Sequence, residues 1–357
     1  MFTRSRRYPA PSPLVETLLA TAGLAAVAYA VSLARRDAHF FAGKVVVITG
    51  GSRGLGLAIA RRLRAEGAHL ALIARDPAEL DRARQDLLGI TPENQTAAEV
   101  LTLDADVTDQ PALAAAIEKV VQRFGALDAL FNVAGIIQAG PLANMTPDDF
   151  RRTMDVNFWG VFHACQAALP HLRASKAGRI VNVASIGGRV AVPHLAPYSA
   201  SKFAQVGYSN ALAVELAREG IRVTAVCPGL LRTGSHVRAE FKGQHDQEFD
   251  WFAASNNNPL GSTSAEGAAR QIVEACRAGK AFLSFPLSTR AAEIAMAVFP
   301  NLTLGALSLA NRWLLPKPGQ GASAGKVRTG AEARSMQTTP KWKTGLIDRA
   351  TAANNEG

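Results

Sequence analysis

The 357-residue chain holds only three cysteines, Cys165, Cys227 and Cys276, scattered and odd in number. They supply no disulfide framework, so they read as small core residues in a protein suited to a reducing compartment. Its seven histidines show no metal-ligand spacing, so no metal is expected; His236 and His245 fall in a loop and read as exposed. Acidic residues are outnumbered, 29 against 39 Lys and Arg, which leaves a net charge of +10. That excess sits at the ends, with +3 over residues 1–40 and +5 over residues 286–357. No nucleic-acid motif and no interleaving of aromatic with basic residues accompanies it. Nucleic acid is therefore not an expected partner, and a basic edge beside an anionic membrane is the more natural use of the charge.

Tyrosine is also scarce, with four in the chain, and one of them has an unusual neighbour. Tyr198 and Lys202 lie four residues apart in Tyr-Ser-Ala-Ser-Lys, which puts both on one face of a helix. A nearby cation favours phenolate, so the pair predicts a tyrosine tuned downward as a general acid or base. Tyr8, Tyr29 and Tyr208 are followed at the same spacing by Ser12, Leu33 and Leu212, and carry no such pairing.

Near the front, Lys44 to Thr49 reads as a β-branched strand and runs into Gly50-Gly51-Ser52-Arg53-Gly54-Leu55-Gly56, followed by the helical Leu57 to Arg64. Strand, tight glycine turn and helix together form a place for pyrophosphate, held by backbone N–H groups and the helix dipole. A second strand, Leu70 to Ala74, ends at Arg75, where an acidic residue would bind a free ribose 2′-hydroxyl. With Arg53 inside the turn, two guanidiniums favour a 2′-phosphate, hence NADP over NAD.

Taken with Asp106-Val107, Asn132-Val133-Ala134-Gly135, Asn157, Ser185 and Pro228-Gly229 with Thr233, the turn and the Tyr198/Lys202 pair resemble a single-domain short-chain dehydrogenase/reductase. The matching segments run from Lys44 to about Pro286. The resemblance implies that Thr49, Gly50, Ser52, Arg53, Gly54, Leu55, Gly56 and Arg75 bind the cofactor. It implies that Asp106 and Val107 lie by the adenine and that Asn132, Ala134 and Gly135 line the trough. Pro228, Gly229 and Thr233 would hold the nicotinamide end. Ser185 would bind the substrate oxygen, Tyr198 would pass the proton, Lys202 would bind the nicotinamide ribose, and Asn157 would hold a water leading to solvent. Val133 departs from the family motif, which usually has a second asparagine there. Relatives of this type are commonly homo-oligomers.

The residues agree independently. Short apolar runs at Ala129 to Val133, Arg179 to Ala184 and Arg222 to Val226 alternate with helical stretches such as Asp109 to Phe124 and Ser199 to Glu219. This is the α/β pattern of a doubly wound parallel sheet, a Rossmann-type three-layer sandwich. The expected organisation is a basic segment with an anchor-like stretch over 1–40, an NADP-binding catalytic domain over 41–286, an apolar pair of short helices over 287–315, and a polar, disordered tail over 316–357.

Leu14 to Ala34 is uncharged apart from Glu16 and is flanked by Arg4, Arg6, Arg7, Arg35 and Arg36. Its length suits a ~30 Å hydrocarbon layer, so it reads as a membrane anchor or interfacial helix. A cleaved signal, suggested by Ala28-Tyr29-Ala30 and Ser5-Arg6-Arg7, and a helix packed on the protein are the alternatives. Cofactor supply places the catalytic domain on the cytoplasmic side, with a soluble cytoplasmic protein as the other option. The stretch Ser235 to Phe252 reads as a partly apolar lid over the substrate. The expected activity is NADP(H)-dependent interconversion of a ketone or aldehyde and an alcohol on a small hydrophobic molecule. A 3-oxoacyl-thioester reductase of the soluble type and a non-catalytic nucleotide-binding scaffold are the alternatives.

Overall fold

All five residues of β1 (Val45–Thr49) are buried, which a strand with one wet face could not tolerate. Four of them are β-branched and apolar, the composition of a parallel strand covered by helices on both faces. In the computed structural model, which describes residues 40–93, 97–175, 177–258, 261–335 and 341–356, this strand is central. It is followed by α1 (Gly54–Ala65), β2 (His69–Ala74), α2 (Pro77–Leu88), β3 (Val100–Asp104), α3 (Gln110–Phe124) and β4 (Ala129–Asn132). Then come β5 (Gln138–Ala139), α4 (Pro147–Met154), a π-turn over Asp155–Trp159, α5 (Gly160–Ala174), β6 (Arg179–Val183), α6 (Ala196–Glu215) and β7 (Arg222–Pro228).

The helix starts follow local chemistry. Asp76 accepts a hydrogen bond from the Glu79 N–H with Pro77 opening α2, and Asp109 does the same for Ala112 in α3, which closes at Gly125 in the left-handed region. Thr146 and Asp149 form a reciprocal capping box on α4.

The main sheet has seven parallel strands in the order β3-β2-β1-β4-β6-β7-β11, with β11 spanning Phe282–Phe285. The chain winds outward from β1 to β3, then returns to the other side of β1 at β4. Thr49 and Asn132 are paired at the carboxyl ends of those two strands, so the crevice where the strand order reverses opens above them. Helices cover both faces, giving the three-layer α/β sandwich expected from the sequence. One core joins Val47, Ile73 and Leu130 of the sheet to Leu113 and Ile117 of α3, Val161 and Leu169 of α5, and Leu212 of α6. Leu57, Ile59 and Leu63 are fully buried along α1, which packs beside α9 (Ala265–Arg277). Each such aliphatic side chain stabilises the fold by about 1.5–3 kcal/mol. All three cysteines are buried among these layers.

A smaller unit rises beside the crevice. It contains β8 (Leu230–Arg232), α7 (Ser235–Arg238), β9 (Glu240–Phe241), α8 (His245–Asn256) and β10 (Ser262–Ser264). Phe241 meets Phe249 and Phe252 edge-on, with ring centroids 5.9 and 5.7 Å apart, a geometry that adds to burial alone. A buried ion pair, Lys242 to Asp149 at 2.6 Å, ties this unit to α4, and Gln138 completes it at 2.7 Å.

Beyond β11 lie α10 (Leu287–Val298) and α11 (Pro300–Leu314), separated at the Phe299–Pro300 step. Within the tail expected to be disordered, residues 316–335 and 341–356 are described and carry three short elements. β12 (Arg328–Thr329) pairs with β9, and α12 (Gly330–Ser335) and α13 (Lys341–Ala353) pack on the smaller unit. The segment has too few large apolar residues for a core of its own. It needs none, because Ala333 and Ile347 cover the apolar surface already formed by Phe249 and Phe252. Residues 14–34 lie outside the described residues. Among the described residues no helix is long and apolar enough to cross a membrane.

Candidate active site

The glycine turn is shaped by backbone contacts. Gly50 adopts φ +69°, and a Cβ there would stand 2.7 Å from the Ala134 nitrogen. A Cβ on Gly56 would stand 2.0 Å from the Gly50 carbonyl oxygen, so α1 can begin this close to β1 only with glycine. Hence the glycine turn puts no side chain of its own at the N-terminus of α1, which is the shape a pyrophosphate requires. The bare backbone of the turn suits the phosphates of a dinucleotide.

Arg75 follows β2 and is 61 % exposed, with its guanidinium 3.5 Å from Asp106. Burial works to raise the Asp106 carboxyl, but the Thr108 N–H and hydroxyl and the Arg75 charge outweigh it and hold it below the ordinary range. Arg53 is placed differently. It donates to Glu79 at 2.6 Å, and Arg238 and Ser52 donate to the same carboxylate at 3.1 Å each. Glu79 was not anticipated from the sequence, where it reads as one more surface charge on α2.

Four of the expected cofactor residues have side chains turned away from the crevice. Asn132 is 1 % exposed; its amide donates to Asn182 at 2.9 Å and accepts from Thr49 at 3.4 Å. Its side chain braces β1, β4 and β6 against one another at the strand ends where the resemblance has Asn132 line the trough. Thr49 shares that network, Ser52 is held by Glu79, and Val107 packs under Gly160. A polar residue at a strand end can face inward or outward, and its type alone does not say which. Gly229 abuts Thr289, and Thr233 is buried beside Gly234 at the opposite rim.

The proton-handling residues converge on the far side. Ser185, which follows β6, accepts a hydrogen bond from the Gly187 N–H at 3.1 Å, and its hydroxyl lies close enough to that of Tyr198 to favour the phenolate. Lys202 lies one helical turn on in α6, with Nζ 5.8 Å from the tyrosine ring centroid. It is buried and donates to the Val183 carbonyl at 3.0 Å and to Gln205 at 2.8 Å. Gly135 closes the group: a Cβ there would meet Asn157 Oδ1 at 3.1 Å and Lys202 Nζ at 3.7 Å. Asn157, in the π-turn, accepts from the Ile136 N–H at 2.9 Å and donates to the Ile136 carbonyl and Ser201 hydroxyl at 3.0 Å each. Its side chain thus pins the loop after β4 to α6.

The expected lowering of the Tyr198 pKa by Lys202 is not what this environment produces. Burial pushes the phenol up to about 12 against the opposing Ser185 hydrogen bond, and burial pushes Lys202 down to about 7. Desolvation dominates both groups, because the low-dielectric site penalises phenolate and ammonium alike. Tyr198 is therefore a neutral proton donor near pH 7.

Two residues missed by sequence reasoning shape the substrate side. His194, at φ 63°, bonds both oxygens of fully buried Glu248 through Nδ1, at 2.9 and 3.0 Å, and the Trp251 indole donates to that carboxylate at 2.6 Å. Ile137, Val192, Tyr198 and Trp251 all pack against the buried cluster that holds Leu195, Phe241, Phe249 and Phe252. His236 and His245, expected on the surface, are instead buried, and His245 is bonded to the Lys326 carbonyl at 2.8 Å.

The short chain dehydrogenase family model matches residues 44–242. The chain is 37 % identical over 205 residues to Dehydrogenase/reductase SDR family protein 7-like of Anopheles gambiae, covering 57 % of this chain and 64 % of that one. It is 38 % identical over 226 residues to granaticin polyketide synthase putative ketoacyl reductase 1 of Streptomyces violaceoruber, covering 61 % and 80 %. The crystal structure of levodione reductase superposes with a TM-score of 0.60 at 29 % identity, over 70 % of this chain and 99 % of that one. With the parallel sheet, the glycine turn and the hydroxyl pair already in place, these matches establish that the chain belongs to the short-chain dehydrogenase family.

Proposed function

We propose that the protein is an NADP(H)-dependent oxidoreductase that interconverts a ketone or aldehyde and the corresponding alcohol on a small hydrophobic substrate, with Tyr198 as general acid and base. Family membership makes it an oxidoreductase acting on CH–OH groups with a nicotinamide cofactor. The observation that carries the reading is the Ser185–Tyr198 hydroxyl pair above buried Lys202, across the crevice from the glycine turn.

When bound, nicotinamide supplies or accepts the hydride; the side chains do the rest. The Ser185 hydroxyl donates to the substrate oxygen and polarises the carbonyl. Tyr198, neutral at pH 7, gives its proton to that oxygen as negative charge develops there. Lys202 keeps Nζ–H donors beneath the phenol for a ribose hydroxyl, and Asn157 holds the adjoining loop in register. In the oxidative direction Tyr198 must take up the proton, which a neutral phenol cannot do. Alcohol oxidation should accordingly rise with pH between 7 and 10, whereas carbonyl reduction should not. The apolar cluster that Tyr198 packs against favours an apolar substrate. A 3-oxoacyl thioester is the second reading, favoured by the relative named a ketoacyl reductase. Parallel assays with simple ketones and a 3-oxoacyl thioester separate the two.

The 2′-phosphate assignment rests on Arg75, the more accessible of the two arginines, since Arg53 is held by Glu79. A charge-assisted hydrogen bond to phosphate contributes about 1.5–3 kcal/mol. Arg75→Ala should therefore raise the Kd for NADPH about 10- to 100-fold and that for NADH less than about twofold. Equal losses for both dinucleotides would refute it.

Membrane association, proposed from residues 14–34, gains a second surface in α10 and α11. Ile294, Val298, Phe299, Leu302, Leu309, Trp313 and Leu314 are all exposed there, and Arg312 is the sole charge of α11. An exposed amphipathic helix with aromatic residues near its two ends suits a lipid interface. Anionic vesicles should float the protein, and Leu302→Glu with Trp313→Glu should reduce the floated fraction severalfold. Equal flotation of the variant would remove the hairpin from the account.

A further inference from the structure

Residues 354–356 lie at the glycine turn, inside the cofactor crevice. The Asn354 carbonyl accepts the Gly54 N–H at 2.8 Å, at the first residue of α1. The Asn355 side chain donates to the carbonyls of Ser52 at 2.8 Å and Glu79 at 3.0 Å. The Glu356 carboxylate accepts from the Gly234 N–H on the opposite rim. Arg61 donates to Asn354 Oδ1 and the Ala353 carbonyl, at 2.9 and 2.8 Å, and Arg82 donates to Asn355 Oδ1 at 2.7 Å. Glu356 is 5 % exposed, and a Cβ on Gly54 would stand 2.9 Å from its Oε1. The carboxylate therefore fills the hollow that the glycines leave open, with the positive charges of Arg53 and Arg238 bearing on it.

This is the chemistry a pyrophosphate would meet: a helix N-terminus, backbone N–H groups from both rims, and guanidiniums. One N–H cannot serve two acceptors equally. We propose that residues 354–356 are an internal ligand of the phosphate-binding turn, which the dinucleotide must displace before it can bind. The inference rests on the dinucleotide reading of that turn, but not on NADP over NAD. The segment is anchored away from the crevice. Ile347 is buried beside Phe249 and Phe252, Asn257 accepts the Leu346 N–H at 2.8 Å, and Arg334 pairs with Asp348 at 2.6 Å. Residues 354–356 can therefore leave the turn while α13 stays docked, as a strap would. Because α8 carries Glu248 and Trp251, the same anchor links occupancy of the turn to the wall beside Tyr198.

The test compares the full chain with a variant lacking residues 354–357 and with Glu356→Ala. NADPH and NADH are each titrated by fluorescence, and thermal unfolding checks that the fold is kept. A strap closed nine-tenths of the time weakens apparent affinity about tenfold. The deletion should thus bind its preferred dinucleotide about tenfold tighter, Glu356→Ala should lie between, and a synthetic peptide of residues 345–357 should compete with the dinucleotide on the deletion variant. Equal or weaker binding by a folded deletion variant would overturn the proposal while leaving the cofactor reading intact. If neither chain takes up either dinucleotide, both fall.

Discussion

Tyr198→Phe is expected to lower kcat for an accepted carbonyl by about 10²–10⁴-fold, the usual contribution of a positioned general acid. The substitution removes one oxygen and keeps the ring that packs against the cluster of Leu195, Phe241, Phe249 and Phe252. Its hydroxyl has Ser185 as its polar neighbour, so stability should fall by only about 1 kcal/mol. Dinucleotide binding should survive, because Lys202 keeps its donors to Val183 and Gln205, and the glycine turn lies across the crevice. Stopped-flow turnover paired with a dinucleotide titration separates the two effects. Lost turnover with intact binding is the predicted pattern; unchanged turnover would remove Tyr198 from the mechanism.

Gly56→Ala should have an effect of similar size by an unrelated route. Its Cβ would meet the Gly50 oxygen at 2.0 Å, the Gly50 carbonyl carbon at 2.8 Å and Gly51 Cα at 3.1 Å, all backbone of the turn. No side chain can swing aside, so the turn itself must move by about 1 Å or more, a displacement that can cost about 10²-fold in a positioned site. Overpacking adds about 1–3 kcal/mol of lost stability. Gly207 provides the control: it lies within α6 and a Cβ there meets nothing within 4 Å. Gly207→Ala should stabilise the protein by about 0.5–1 kcal/mol and leave dinucleotide binding unchanged. Calorimetry and a dinucleotide titration on both variants check the pair; similar behaviour of the two would show that helix propensity, not the turn, governs these positions.

The strands and the switch point were readable because parallel strands buried on both faces must be apolar, as the β-branched Val45–Thr49 and the run Leu70–Ile73 are. The grouping of Ser185, Tyr198 and Lys202 was readable because each lies at a strand end or one helical turn from its partner. What sequence could not supply was direction and competition. Asn132 looks like a crevice residue and faces the sheet, and Lys202 looks like a cation aimed at a phenol yet gives its hydrogen bonds to Val183 and Gln205. Gln205 was discoverable, since it sits three residues from Lys202 on the same helix face. His194 and Glu248 were not, because 54 residues separate them and only the folding of α8 over the crevice brings them together. The order of residues 316–335 and 341–356 was hidden for a thermodynamic reason. Composition reports whether a segment can build its own core, not whether it can dock on one that exists.

The central claim is that a hydride and the Tyr198 proton reach one carbonyl in this crevice. The most direct measurement uses the full chain, nicotinamide dinucleotide deuterated at the transferable position, and a panel of aliphatic and cyclic ketones, with mass spectrometry of the alcohols formed. The account predicts one deuterium on the new carbinol carbon from the wild-type protein and almost no product from Tyr198→Phe. Alcohol formed without that deuterium, or equally by the tyrosine variant, would contradict it.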